Sequence, residues 1–584
     1  MAVEAILVLQ ASDVARLAAA PARLAGARLL FVDAAVLEEA ALRGLTRSHR
    51  YEYRPLHLGP DAAARTAGEA LARATLLDLQ LAAERERLWG GGDLTLAGWD
   101  VNLFFPALRR AALARLIGRA VAAGFPERRI GLMRPRHAQQ MHFDSFVSAD
   151  LVAHDASRFA VVDRYRDARS ARADALDQVL DAHALSMVLA RGATLVSHVP
   201  GCYVERAWLA EQVARSHVRT LDLPSPCWDL PLLRGATVQV ARSSLAAEAE
   251  VADYGARVVR VIEPLVADLL PRPRAREEQV TAWAARARWQ ALNFLQLRRA
   301  FARFGAGTAP PLLLSDLDSG LLGPLFSLAL RLRAAVTVVP HDGALAACLP
   351  HGRRVVVAEA AGHGSVARTL LGQPVPVRRV RGPGRMSRRN LGATAAPRMQ
   401  RLCLLIESLD GEGQQLFDVP GLADFVRLLH ATCQAAGVEL LLRPRPGTAS
   451  VVVLGSALAW PAQELTGAME QAPAQLAPTC DLALVWGRAG AEVISFIDAG
   501  TPVLRVAAER GPPMPQLCLP LVADGVLPTL RPAEALATVR RFIDDGRSRL
   551  AEAARQCAAL DARAAGAHDH LFERELAVAD HAPA

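Results

Sequence analysis

The stretch Asp481–Leu504, "DLALVWGRAGAEVISFIDAGTPVL", decides how the C-terminal part of this chain is read. Five apolar residues, Leu482–Trp486, run into Gly487. A helical stretch follows, and Gly500-Thr501-Pro502 turns into a second apolar run. A buried strand, an immediate helix and a return strand predict a βαβ unit. Gly487 and Gly490 permit a tight first turn, and a helix start beyond a strand's carboxyl end is a ready anion site. Glu492 falls in the first helical turn, where the dipole favours a carboxylate, and it could accept hydrogen bonds from ribose hydroxyls. Ordinary strand-to-helix packing explains the same residues, so the neighbouring segments have to decide.

Upstream, "RLCLLIESLDG" (401–411) reads as strand and loop, "PGLADFVRLLHATCQAAG" (420–437) as helix, and "VELLLRPRPG" (438–447) as strand and loop. A helical C-terminus is expected from Pro532 to about Leu576. Between Gly382 and Arg398 the composition shifts to Gly, Pro, Arg and Ser, which marks a linker, and "VRRVRGPGRMSRR" (377–389) is read with it. The N-terminal part opens with "EAILVLQ" and "ARLLFVD" around an Ala-rich helix, turns helical from about Gly59 to Gly124, and resumes strands at "RIGLMRP", "ATLVSHV", "ATVQVAR", "PPLLLSD" and "AAVTVV". The helical span before "ATLVSHV" is taken from Ser170 to Arg191. The alternation predicts an α/β protein with two Rossmann-like, doubly wound domains facing a cleft. Residues 1–382 would form one domain with a helical insertion, 383–400 a linker, and 401–584 the second domain.

At 584 residues the chain exceeds what one core supports. Its 52% hydrophobic content suits a packed globular protein, not a disordered one. The net charge of +8 comes from Arg, since the sequence contains no Lys, and reflects overall usage. Such a balance favours phosphorylated ligands or an anionic surface, but without a concentrated basic stripe it does not point to nucleic acid. The eight Cys form no C-x-x-C pair, which argues against a zinc ribbon or disulfide scaffold. "MAVEAILVLQASD" lacks a basic leader region and reads as a first strand, so no signal peptide is expected. No metal-ligand motif, P-loop or G-x-S-x-G appears, and no metal or cofactor is expected. The expected location is cytoplasmic, with peripheral contact at the inner membrane left open.

In open parallel sheets ligands sit beyond the carboxyl ends of strands. Three such ends are polar, the Gly487 turn among them, and two further N-terminal sites add candidates. Arg443 and Arg445 alternate with Pro444 and Pro446, which suits bidentate binding of phosphate or carboxylate, or else a basic surface turn. His341 and Asp342 adjoin Gly343 after "AAVTVV", where a titrating imidazole has chemical use. Asp316 and Asp318 follow "PLLL"; either could deprotonate a hydroxyl, and Asp318 also fits a helix cap. His142, Asp144 and Trp99-Asp100 are weaker candidates for sugar contact or core anchoring.

The order of "PHDG", Gly-rich linker, "LLLRPRPG", "CDLALVWGRAGAEVISFIDAGTPVL" and C-terminal helices resembles bacterial GT-B-fold glycosyltransferases that build capsular or lipopolysaccharide chains. The similarity spans about Leu312 to Leu560. The resemblance implies that the second domain holds a nucleotide-sugar, with Gly487, Arg488, Ala489 and Glu492 around the nucleotide and Asp498–Val503 as a second turn closing on it. Many relatives carry Ser-Ser or Ser-Thr where this chain has Arg488-Ala489. The expected activity is metal-independent transfer of a sugar from a nucleotide donor to a hydroxyl of a surface glycan. Arg443 and Arg445 would bind the donor, and Asp316, His341 and Asp342 would supply catalysis. The nucleotide-sugar, the glycan acceptor and other glycan-assembly proteins would be the partners. A non-catalytic assembly partner and a sugar-nucleotide epimerase are the alternatives.

Overall fold

A computed structural model gives the architecture. It describes residues 3–54, 124–135, 151–165, 178–224, 237–316, 321–339, 355–360, 375–381, 398–406, 419–444, 471–507 and 520–572, with breaks inside several spans and isolated positions between them. The described residues form three parallel sheets.

The first sheet contains β1 (Ala5–Val8), β2 (Arg28–Phe31), β3 (Tyr51–Tyr53), β4 (Ile130–Pro135) and β5 (Phe159–Tyr165) in the order β3-β2-β1-β4-β5. Its central strands β1 (AILV) and β2 (RLLF) are apolar and almost wholly buried because both faces are covered, whereas the edge strands β3 and β5 carry charged, partly exposed residues. Ile6, Val8, Leu29 and Phe31 pack with Val14 and Leu17 of α1 (Ala11–Ala19) and with Val36 and Leu37 of α2 (Ala34–Leu42). Ala5, Leu7, Leu30 and Leu132 face the other way.

The middle sheet has seven parallel strands. A two-stranded antiparallel ribbon, β6 (Gln178–Leu180) with β10 (Arg242–Ser244), lies outside it. The sheet's strands are β7 (Leu195–His198), β8 (Thr220–Asp222), β9 (Thr237–Gln239), β11 (Leu312–Asp316), β12 (Val336–Val339), β13 (Val355–Ala360) and β14 (Val377–Val380). Their order is β14-β13-β12-β11-β7-β8-β9, so winding reverses between β7 and β11. Two sequence expectations are corrected here. "VRRV" at 377–380 is not linker but an edge strand paired with β13. Gln178–Leu180, taken as helix, is strand, and the helix α3 (Ala182–Ala190) starts after Asp181, whose carboxylate accepts from the His183 and Ala184 amides. The helical region expected over 59–124 lies outside the described residues, apart from its last residue.

One face of the middle sheet packs on α3, on α5 (Pro273–Ala300) and on α6 (Leu322–Leu332), in an apolar cluster that also includes the first sheet's Ala5, Leu7 and Leu132. The other face receives Trp208, Leu209 and Val213 of α4 (Arg206–Arg215), together with Leu571 and Phe572.

The third sheet comprises β15 (Arg401–Ile406), β16 (Glu439–Pro444), β17 (Leu482–Trp486), β18 (Val503–Val506) and β19 (Thr529–Leu530), ordered β16-β15-β17-β18-β19. Leu402, Leu404, Leu484 and Trp486 face α7 (Val419–Ala436) and α9 (Pro532–Asp544). Cys403, Leu405, Ala483, Val485 and Val503 face α8 (Glu492–Asp498) and α10 (Gly546–Ala564). After α10 the chain returns to the middle sheet. The His568 amide donates to the Arg379 carbonyl at 2.8 Å, and the Arg381 amide donates to the His568 carbonyl at 2.7 Å. Among the described residues, no helix is long and apolar enough to cross a membrane.

Candidate functional site

The expected turn is present. β17 pairs with β15 and β18, and the Gly487 amide continues that ladder by donating to the Val506 carbonyl at 3.0 Å. Gly487 has φ of +85°, a left-handed conformation that L side chains avoid. Its carbonyl accepts from Arg505 Nε at 2.6 Å. Ala489 is buried against the α8 side of the sheet.

Gly490 has a different reason to be glycine. A Cβ there would lie 2.5 Å from Glu492 Oε2 and 3.0 Å from its Oε1, so the Glu492 carboxylate folds back over this position. Gly490→Ala must therefore push a flexible carboxylate aside. The expected result is that Gly490→Ala and Glu492→Ala cost only about 0.3–1 kcal/mol in stability each, as for loss of one first-turn charge. Thermal unfolding of the two variants checks this, and a loss well beyond about 1 kcal/mol in Gly490→Ala would show that the Glu492 carboxylate cannot move aside.

Arg443 closes β16 at the carboxyl edge of the third sheet and is 7% exposed. Its Nε donates to the Gln471 carbonyl at 3.3 Å, and no carboxylate among the described residues forms an ion pair with it. Burial pulls its pKa down from the ordinary value, opposed by Cys403 and Glu492. Burial also drives the Cys403 thiol well above its usual range, reinforced by the neighbouring Cys480, so this neighbour is neutral. A guanidinium this deep, with no ion pair among the described residues and only the longer-range pull of Glu492, is costly in water-poor surroundings.

Among the residues singled out from sequence, Arg443 and Gly487 both lie at the carboxyl edge of the third sheet, and Ala489 and Glu492 follow into α8. Asp316 ends β11 of the middle sheet, opposite Val339 in register. Arg445, Arg488, His341, Asp342, Asp318, His142, Asp144 and Trp99-Asp100 lie outside the described residues. The second turn, Asp498–Val503, does not belong to this site. In a parallel sheet α8 runs back from the carboxyl edge, which puts the turn at the amino edge. There Gly500 (φ +80°) ends the helix and buried Thr501 places its hydroxyl 2.9 Å from both the Ala477 and Cys480 carbonyls. Arg505 escaped the sequence reading. Its signal was a charged residue inside the apolar run "TPVLRV". Among the described residues no group of His, Cys, Asp or Glu could hold a metal ion.

The chain matches no protein-family model. It matches no curated protein in sequence. Solved structures that it resembles include the glycotransferase of kitacinnamycin, at 13% identity over 67% of this chain and 98% of that one, with a TM-score of 0.36. MurG of Acinetobacter baumannii follows at 13% identity, 66% and 98% coverage and a TM-score of 0.34. An α,α-trehalose-phosphate synthase (UDP-forming) from Burkholderia vietnamiensis is 12% identical over 66% and 99%, with a TM-score of 0.35. At these TM-scores the likeness carries no argument about activity, and the α/β fold stands on the strand pairing described above.

Proposed function

We propose that the protein is a metal-independent glycosyltransferase of the GT-B type, moving a sugar from a nucleotide-activated donor to a hydroxyl of a surface glycan of the capsule or lipopolysaccharide kind. The observation that carries this reading is the buried guanidinium of Arg443, which makes no ion pair among the described residues, at the carboxyl edge of the parallel sheet that also carries the Gly487 turn. That is where an open α/β sheet receives a phosphorylated ligand.

In this reading residues 401–584 hold the donor, 383–400 link the halves, and residues 1–382 receive the acceptor. Arg443 and Arg445 neutralise the phosphate charge that grows as the donor bond breaks, so no metal is needed for that step. Gly487, Arg488 and Ala489 form the turn, and Glu492 accepts from the ribose. Asp316, His341 and Asp342 are the acid–base groups, with Asp316 the first choice to take the proton of the acceptor hydroxyl. The work would be done at the cytoplasmic face of the inner membrane, next to other glycan-assembly proteins.

The test is a titration of the intact protein with CMP, UDP and GDP, followed by Arg443→Met. Removing a buried cation that makes no ion pair among the described residues leaves the ligand-free melting temperature equal or higher. It removes a charge-assisted contact worth about 1.5–3 kcal/mol from nucleotide binding. If no nucleotide raises the melting temperature of the wild-type protein, the donor assignment fails.

A further inference from the structure

The arginines behind the middle sheet are scattered in sequence and gathered by the fold. In a parallel sheet, a helix that feeds a strand ends at that strand's amino edge. Arg191 follows α3, Arg215 ends α4 and Arg219 precedes β8. Arg298 and Arg299 close α5, while Arg331 and the capping Arg333 close α6. The strands β12, β11, β7 and β8 are neighbours, so their starts fall within about 15 Å. α5 packs against both α3 and α6, which spreads the three helix ends over about 20 Å. Hydrogen bonds tie the edge together: Arg219 Nη1 donates to the Arg191 carbonyl, and the Leu312 amide donates to the Thr194 carbonyl at 2.8 Å.

The charge at this edge is one-sided. Segments 191–194, 215–219, 298–311 and 331–335, which lead into these strands, contain no Asp or Glu. Arg191, Arg215, Arg219, Arg299, Arg331 and Arg333 are exposed, and Arg215 pairs with Glu211 one turn back in α4. Helix dipoles alone do not account for the pattern. They favour cations at every helix end, yet around the third sheet α8 ends on Asp498 and α9 on Asp544. At the amino edge of the third sheet Arg401 pairs with Glu439 at 2.7 Å. At that of the first sheet Arg28 pairs with Glu52 at 3.1 Å and with Glu127. Arginine is common to all three edges, and the missing acids are peculiar to the middle one.

We propose that this edge is a docking surface for an anionic membrane, with the exposed guanidiniums set against lipid phosphates. A bilayer is flat and its negative potential reaches about a Debye length, so dispersed cations add up without a groove. The guanidinium fork also matches phosphate oxygens. Single-stranded nucleic acid calls for aromatic rings free to stack among the cations. The rings described at this edge, Phe301 and Phe304, pack on each other instead, with centroids 5.3 Å apart. Docking through the amino edge turns the carboxyl edge, where Asp316 ends β11, away from the bilayer. The inference rests on the membrane location proposed above and gives it a surface; it does not depend on the donor assignment.

The experiment floats the intact protein with vesicles of phosphatidylcholine alone, and of phosphatidylcholine with phosphatidylglycerol, at about 0.05 M and about 0.5 M salt. Two triple variants follow, and they change net charge equally. One is Arg299→Glu with Arg331→Glu and Arg333→Glu at this edge. The other, around the third sheet, is Arg427→Glu with Arg540→Glu and Arg547→Glu. The wild type is expected on the anionic vesicles only, and only at the lower salt. The edge variant should lose about tenfold or more in binding, while the control stays within about threefold of wild type. Melting temperatures check that both variants fold. If the edge triple does not, Arg191→Glu alone replaces it, with an expected loss of about fivefold. Equal losses in both triples, or a folded edge variant that binds like wild type, overturn the inference. So do binding to neutral vesicles and absence of vesicle binding by the wild type. Tighter binding to single-stranded RNA than to anionic vesicles also overturns it and makes nucleic acid the partner. None of these results bears on nucleotide binding, so failure here and failure of the donor assignment are read separately.

Discussion

Asp13→Asn should make the protein more stable at pH 8 than the wild type, with an advantage that shrinks as the pH falls. Asp13 is fully buried in the first turn of α1. Burial raises its pKa from 3.8 to about 7, against hydrogen bonds from Tyr165, Leu9 and Gln10 that favour the charged form. The Tyr165 hydroxyl lies 2.5 Å from Oδ1, and the Leu9 amide donates to Oδ2 at 3.1 Å. Gln10 Nε2 donates to Oδ1 at 3.4 Å. Arg16 and Asp163 pair nearby at 2.9 Å.

Between pH 3.8 and about 7 the folded protein keeps a proton that the unfolded chain has released, so stability falls as pH rises through this window. The total loss is on the order of 4 kcal/mol, at about 1.4 kcal/mol per pH unit. Asn has no charge to lose. Its amide can donate to the Tyr165 hydroxyl, which can donate onward to Ser12 Oγ at 2.9 Å, while its carbonyl keeps the Leu9 amide. The difference in unfolding free energy between variant and wild type, measured from pH 4 to 8.5, isolates this one group. A difference that does not vary with pH would mean that Asp13 does not titrate in that range.

Phe572→Ala carries the second large effect. Phe572 and Leu571 are buried against Leu195, Val199, Trp208 and Val380, on a face of the middle sheet that no C-terminal sequence pattern announces. The return is also hydrogen-bonded. Arg378 Nη1 donates to the Leu571 carbonyl at 2.7 Å, and Trp208 Nε1 donates to the Arg381 carbonyl at 2.8 Å, beside the His568 bridge to Val380. Truncating a buried Phe costs about 3–5 kcal/mol when its surroundings cannot collapse into the space. The loss should fall on the middle sheet and spare the third. Amide exchange should accelerate in Val377–Val380 and around Trp208, with little change in β15 and β17. Uniform acceleration, or none, would show that the tail does not hold this edge.

The opening segment Asp481–Leu504 declared its strand, turn, helix and second strand by itself. Strands covered on both faces are continuous apolar runs, and a glycine between such a run and a helix marks a turn with positive φ, as found at Gly487. For the same reason "RLCLLI" and "VELLLRP" were legible as strands, and Arg443 and Glu492 as groups near a strand's carboxyl end. Composition and spacing were enough for that, because each signal is local.

What the tertiary structure decided depends on residues far apart in the chain. Apart from the β6–β10 ribbon, the described strands before residue 382 sort into two parallel sheets, and only their pairing separates them. "VRRV" looks like linker until β13 lies beside it and His568 bonds to its far end. The burial that strips Arg443 of water, and the carboxylate of Glu492 over Gly490, exist only once α8 is packed on the sheet. Arg443 and Arg505 share a face of the third sheet only through a register that passes across two other strands, and a one-residue slip in any of those pairings would send one of them to the opposite face.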